Sequence, residues 1–250
     1  MTLETPVGIP KTLGHIWVGN RPCPTKWMDT WKDAHPEWAY KLYGNSFLRS
    51  YDFETRRQIN EYMKRGQYAG VSDLMRLEIL YAFGGFLPEA DSICRKNTDA
   101  LFPEPRAYTV YENELVRGKL VSPIMACEPR NNFVRALIDE LRTVSPSQLD
   151  EPWISTGNLF VAKMIERLNP DITIFPSHYF IPIHYTGIIY NGCGEVYAKQ
   201  MFGTTRNAYS KSNTIRRIST YLARAEAKFY NKGQLAKIRE ARYREFDEMF

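Results

Sequence analysis

From Ala69 to Asp91 the chain runs Ala69-Gly-Val-Ser-Asp-Leu-Met-Arg-Leu-Glu-Ile-Leu-Tyr-Ala-Phe-Gly-Gly-Phe-Leu-Pro-Glu-Ala-Asp91, a helix that breaks into an acidic loop. Val71, Leu74, Leu77, Leu80 and Tyr81 recur at helical spacing, which predicts one buried face. Asp73 and Arg76 stand three apart and are neighbours on such a helix, where a simple ion pair would contribute only a few tenths of a kcal/mol. Gly84-Gly85 stops the helix, since glycine enters the left-handed region without a steric cost. Phe86-Leu87 is a short apolar run. Glu89 and Asp91 follow, one residue apart, a spacing that lets two carboxylates converge on one hard cation.

Before this stretch, Ile9 to Gly19 reads as a first strand. Pro22 to Ala34 carries Trp27, Met28 and Trp31 at helical spacing and stops at His35-Pro36. Trp38 to Tyr43 reads as a second strand, and Asp52 to Lys64 as a surface helix of solvated charges. Alternation of this kind implies an α/β sheet with a crevice at the carboxyl ends of its strands. Trp17, at the end of the first strand, would meet Glu89 and Asp91 there. His15 reads as a hydrogen-bonded structural histidine.

After the loop, Tyr108 to Tyr111 and Leu120 to Ala126 are strand candidates, with a turn across Glu112 to Gly118. Asn131 to Thr143 is an amphipathic helix, and Leu159 to Leu168 a second one for which Asn158 is a candidate N-cap. Asp171 to Pro176 and Tyr179 to Pro182 make a late strand region flanked by His178 and His184, each a candidate metal or phosphate contact. From Thr214 onward two helices are expected, with a break near Asn231-Lys-Gly233.

The chain has 250 residues, 44% of them hydrophobic and 24% charged, ordinary proportions for one globular domain with a sizeable core. Aromatics reach 14%, enough for packing and for a few platforms under sugar rings or a nucleobase. Four cysteines without a C-x-x-C pair argue against zinc fingers and redox motifs. No basic segment followed by an apolar run opens the sequence, and no apolar stretch has the length of a membrane span, so the expected location is cytoplasmic. The net charge is +5. From Lys211 onward there are ten Lys/Arg against five Asp/Glu, so the 33 and 28 of the whole chain leave 23 of each sign before it. The excess positive charge is in the tail, which reads as a packed helical pair, as a peripheral contact on the inner membrane face, or as a binding surface for an anionic partner. Nucleic acid is the weaker choice among these.

Ser72, Asp73, Arg76, Leu80, Gly84, Gly85 and Asp91 resemble the S-D-x-x-R-x-x-x-L-x-x-x-G-G-x-Y-x-D-x-D motif of sugar-nucleotide glycosyltransferases of the family 32 type, which includes capsular polysaccharide enzymes. The glucosylating clostridial toxins are more distant relatives. Leu87 replaces the motif's Tyr, and Glu89 its first Asp. Ile9, Pro10, Lys11, Ile16, Trp17 and Gly19 match the family's opening I-P-K-x-I-H-x-I-W-x-G, and Pro36, Trp38, Tyr40, Leu42 and Tyr43 a following segment. Thr156-Gly157 matches a T-G-P element, with Asn158 for Pro. Near the end, Gln200 stands for a His and Phe202 for a Trp, while Lys199 and Arg206 could offset diphosphate charge.

The resemblance implies a GT-A-type Rossmann-like α/β domain with a mixed central sheet, over 1–210, and a basic helical C-terminal extension, 211–250. It implies a retaining hexosyltransferase of polysaccharide biosynthesis type, taking a UDP- or GDP-sugar and a glycan, lipid-linked or protein acceptor. Asp73, Arg76 and Asp91 would be catalytic. Trp17, Asp73, Arg76, Gly85, Glu89, Asn158 and Gln200 would bind the donor, although Trp17 reads equally well as core. Glu89 and Asp91 would hold manganese or magnesium. A nucleotide-sugar- or glycan-binding relative without turnover, and an interaction module built on the basic tail, are the competing readings.

Overall fold

The computed structural model describes residues 8–203. Arg206 and the tail helices from Thr214 onward lie outside them. The strands are β1 (Thr12–Ile16), β2 (Ala39–Tyr43), β3 (Gly85–Phe86), β4 (Ser92–Cys94), β5 (Ala107–Val110), β6 (Ala126–Cys127), β7 (Ile172–Phe175) and β8 (Ala198–Gln200). The helices are α1 (Thr25–Ala34), α2 (Asn45–Ser50), α3 (Arg56–Lys64), α4 (Tyr68–Phe83), α5 (Glu114–Arg117), α6 (Asn132–Thr143), α7 (Pro152–Ser155) and α8 (Asn158–Leu168).

Six strands form one mixed sheet in the order β2-β1-β3-β6-β5-β7. β1 runs parallel to β2 and β3, β5 runs parallel to β7, and β6 runs antiparallel to β3 and β5. β4 and β8 pair separately, antiparallel, with Ser92 opposite Gln200. Successive strand residues point to opposite faces. Phe86, Ala126 and Tyr108 accordingly join an aromatic core with Trp31, Trp38 and Phe175, while their neighbours Leu87, Cys127 and Ala107 join a second core with α3, α4 and α6. The expected mixed α/β architecture is present.

α4 is covered on more than the single face that its spacing predicts. Gly70, Val71, Leu74, Met75, Arg76, Leu77, Glu78, Ile79 and Leu80 are all buried, because α3, α6 and α7 pack on the sides that the sheet does not cover. The helix stops at Gly84 (φ +64°) and Gly85 (φ +95°). A Cβ on Gly84 would lie 2.6 Å from Pro129 Cδ, and one on Gly85 2.5 Å from Thr12 Oγ1, so both the handedness and the space require glycine.

Several expectations are corrected. Leu120 to Ala126 is not a strand: Tyr111 and Val121 make one isolated bridge, and pairing resumes only at Ala126, past Pro123, which has no N–H to donate. The turn at Glu112 to Gly118 contains a single helical turn, capped by the Asn113 side chain and ended by Gly118 at φ +57°. Of the late strand region, Asp171 to Pro176 holds β7, whereas Tyr179 to Pro182 forms no strand and a 3₁₀ turn occupies Ser177–Tyr179; Ala198–Gln200 is a further strand. α3 begins at Arg56 and buries Gln58, Ile59 and Tyr62, so it is a packed helix. α2 has no counterpart in the sequence reading.

Candidate active site

A cavity of about 470 Å³ opens beyond the carboxyl ends of β3 and β5, the position where α/β sheets place ligands. Asp73 enters it from α4. Thr156 Oγ1 donates to Asp73 Oδ2 at 3.0 Å, and a Cβ on Gly157 would fall 3.0 Å from that same oxygen. Thr156-Gly157 therefore fixes the carboxylate with a hydroxyl and makes room for it with a missing side chain. One turn along α4, the Arg76 guanidinium is 4% exposed. It donates through Nη1 to Leu87 O and through Nη2 to Glu89 Oε1 at 2.6 Å. The fork of an arginine suits this double contact, and it locks the acidic loop onto the helix. The simple Asp73–Arg76 ion pair is not formed: each group is turned to a partner outside the helix.

Burial is the main force on both acids in the cavity wall. It raises Asp73 from 3.8 to about 7; the Glu89 charge adds to the rise, while Arg76 and the Thr156 hydroxyl oppose it. Burial also raises Glu89, with Arg76 opposing and Asp91 reinforcing the shift. The Glu89 side chain nonetheless keeps 43% of its surface accessible, since it faces the cavity. Ser92 anchors the loop from below: its Oγ donates to Glu89 O at 2.6 Å and accepts from Trp31 Nε1 at 3.0 Å.

Asp91 is held differently. Gln200 Nε2 donates to Oδ1 and the Gly203 N–H to Oδ2, both at 2.7 Å. The β4–β8 pairing creates this contact, so the residue standing where the resemblance has a His is an amide clamped on the second acid. Among the described residues no three His, Cys, Asp or Glu side chains converge as a metal cage. A divalent cation would be held by Glu89 through Oε2, which makes no hydrogen bond among the described residues, with Asp91 as the second carboxylate.

Other predicted residues are placed as follows. Gln200 and Asn158 line the cavity. Asn158 is the first residue of α8 and not its cap; Gly157 takes that position, and Asn158 Nδ2 donates to Glu112 Oε2 at 3.0 Å. Gly85 is buried in β3 against Thr12 and Cys127, so its place is in the sheet, not the cavity wall. Trp17, half-buried past β1, donates its indole N–H to Arg21 O and stands outside the wall. His15 is fully buried and bonded to the Tyr40 hydroxyl at 3.1 Å; burial, then the Arg76 charge, lowers its pKa to about 3. His178 stacks on Tyr190, centroids 4.0 Å apart, at a separate surface.

Sequence reasoning missed the opposite wall. Glu112 accepts from His184 Nε2 at 3.1 Å, Arg117 Nε at 3.2 Å and Asn158 Nδ2. Arg117 also donates to the Tyr185 hydroxyl and lies over that ring. Trp153, on α7, lines the same cavity and is 46% exposed. The signal available in the sequence was position: Glu112 lies two residues past the carboxyl end of β5.

A mixed sheet, a crevice at its strand ends and a helix-held pair of acids frame the candidate site. Residues 24–108 match the family model described as the glycosyltransferase sugar-binding region containing DXD motif, and Asp73, Arg76, Glu89 and Asp91 all fall inside the match. The fold is similar to that of the solved structure "PaToxG Glycosyltransferase", with a TM-score of 0.53 at 15% identity over 65% of this chain and 71% of that one. Two structures of the glycosyltransferase domain from the YGT toxin overlap more loosely, each at 10% identity. The UDP-bound one gives a TM-score of 0.42 over 66% of this chain and 68% of that one, and the ligand-free one 0.48 over 94% of each. No curated protein matches the chain.

Proposed function

We propose that the chain is a retaining hexosyltransferase that moves a sugar from a UDP- or GDP-linked donor to a glycan, lipid-linked or protein acceptor with the help of a divalent metal. The observation carrying this reading is that Asp73 and Glu89 line one cavity, with Arg76 buried behind Glu89 and holding it, within the segment that matches the DXD family model. In its ionised form Asp73 accepts hydrogen bonds from donor-sugar hydroxyls. Arg76 holds Glu89 at the cavity wall, and Glu89 and Asp91 are the metal ligands. Manganese or magnesium bound there would offset the charge that develops on the leaving diphosphate. The chain's own part is to orient the sugar and exclude water. Retention follows from departure and attack on one face, with the diphosphate helping to deprotonate the acceptor hydroxyl; an inverted product would overturn it. The same reading takes 1–210 as the catalytic unit, 211–250 as a basic extension and the cytoplasm as its location.

The engagement of both Asp91 oxygens favours one alternative, a relative that binds nucleotide-sugar without turnover. A hydrolysis screen across UDP- and GDP-sugars with manganese, run on wild type and Asp91→Ala, separates the two. Turnover of one donor that disappears in the variant supports the transferase. Nucleotide binding with no turnover of any donor leaves the binding reading.

A further inference from the structure

The second wall of the cavity has the composition of a sugar-ring subsite; the helix and acidic loop from Ser72 to Asp91 lie outside it, and of the residues that the resemblance assigns to the donor it holds Asn158, which its bond to Glu112 ties to this side. Trp153 presents an indole that is 46% exposed and makes no ring contact with another aromatic among the described residues. An aromatic face held in a cavity wall offers a flat apolar platform at low conformational cost. Its position relative to the donor acid is fixed. A Cβ built on Gly157 would lie 3.2 Å from the Trp153 Cα and 3.0 Å from Asp73 Oδ2, so Gly157 alone stands between the platform's backbone and the carboxylate proposed to hold the donor sugar.

Polar groups of fixed orientation share that wall. Glu112 accepts from His184, Arg117 and Asn158, which makes it a hub that orients its partners. Because Asn158 commits an N–H to Glu112, its amide is fixed, and its carbonyl oxygen accepts from no group among the described residues. Arg117 spends Nε and Nη2 on Glu112 and Tyr185, and its remaining N–H groups are donors at the cavity. A stacking face beside a fixed acceptor and a fixed donor matches a pyranose, which has one apolar face and a rim of hydroxyls. An extended peptide needs a sheet edge or a run of backbone partners instead.

We infer that Trp153, Asn158 and Arg117 form the acceptor subsite and that the acceptor presents a sugar ring there. This rests on the transferase reading and narrows its acceptor to a glycan.

The test uses full-length protein grown with 5-fluorotryptophan, whose five indoles give separate fluorine resonances, Trp153 being assigned by Trp153→Phe. Methyl glucoside, galactoside, mannoside and N-acetylglucosaminide are titrated with UDP and manganese present, alongside short Ser-, Thr- and Tyr-containing peptides. One glycoside should shift the Trp153 resonance saturably, and its affinity, followed by calorimetry, should fall roughly tenfold in Trp153→Ala and recover in Trp153→Tyr. The four remaining indoles report whether the variant is folded. Silence from every glycoside, or a shift produced by a peptide instead, overturns the inference. Donor hydrolysis by wild type in the same buffer reads the transferase separately. Hydrolysis without a glycoside shift removes only the acceptor claim, and a glycoside shift without hydrolysis removes the transferase and leaves a sugar-binding cavity.

Discussion

Asp73 sits where burial and the neighbouring Glu89 charge act together, which raises its carboxyl from 3.8 to about 7. The ionised form is therefore the one that the fold disfavours. Below about pH 4 the folded and unfolded chains both keep the proton, and no penalty arises. Between pH 4 and 7 only the unfolded chain releases it, so stability falls as pH rises; above 7 the penalty is complete. Asp73→Asn should thus stabilise the protein at pH 8 relative to pH 4, by an amount on the order of 4 kcal/mol at about 1.4 kcal/mol per pKa unit. Urea unfolding of both proteins at the two pH values reads it, and an equal difference at both would refute the assignment. The same variant should lose donor turnover by roughly a hundredfold, while wild-type activity climbs through pH 7 as the acceptor carboxylate forms. A gain in stability paired with a loss of turnover is the expected pattern for a strained functional group.

The elements are joined by side chains that act on each other's ends. Glu78 of α4 is buried, and its carboxylate accepts from Glu54 N at 2.8 Å, Thr55 N at 2.9 Å and Thr55 Oγ1 at 2.6 Å. It thereby caps α3 from a neighbouring helix and supplies acceptors that the start of α3 lacks in its own sequence. Glu78→Gln keeps the volume but turns an amide donor toward donors. The expected loss is about 1–3 kcal/mol, read as a lower urea midpoint with an unchanged slope. A midpoint within error of wild type would mean that the cap contributes nothing. α4 thus has two roles, with Asp73 facing the cavity, Arg76 holding the acidic loop and Glu78 ordering the helix behind it.

At the scale of the molecule, the cavity is assembled from distant parts of the chain, among them α4, the loop after β3, the end of β5, the α7–α8 junction and β8. A ligand that bridges them should stabilise the whole domain. UDP or GDP at a hundred times its dissociation constant should add about 2.7 kcal/mol. For a chain of this length that raises Tm by roughly 5–10 °C. Thermal denaturation with each nucleotide, with and without manganese, checks this. A shift with one base and not the other assigns the donor class, and no shift with either removes the nucleotide from the proposal.

The sequence by itself determined the local rules. Helical spacing placed α4, α6 and α8, the Gly84-Gly85 pair placed the break, and the register of Ser72, Asp73, Arg76, Gly84, Gly85 and Asp91 pointed to the glycosyltransferase-like family. These are readable because backbone sterics and side-chain periodicity act over a few residues. Tertiary structure decided the partners. That Arg76 turns to Glu89 and not Asp73, that Gln200 clamps Asp91, and that Thr156 holds Asp73 all depend on contacts across 13, 109 and 83 residues. It also decided that Glu112, Arg117 and Trp153 share a cavity with Asp73, since no local pattern records which strand ends and loops a folded sheet brings together.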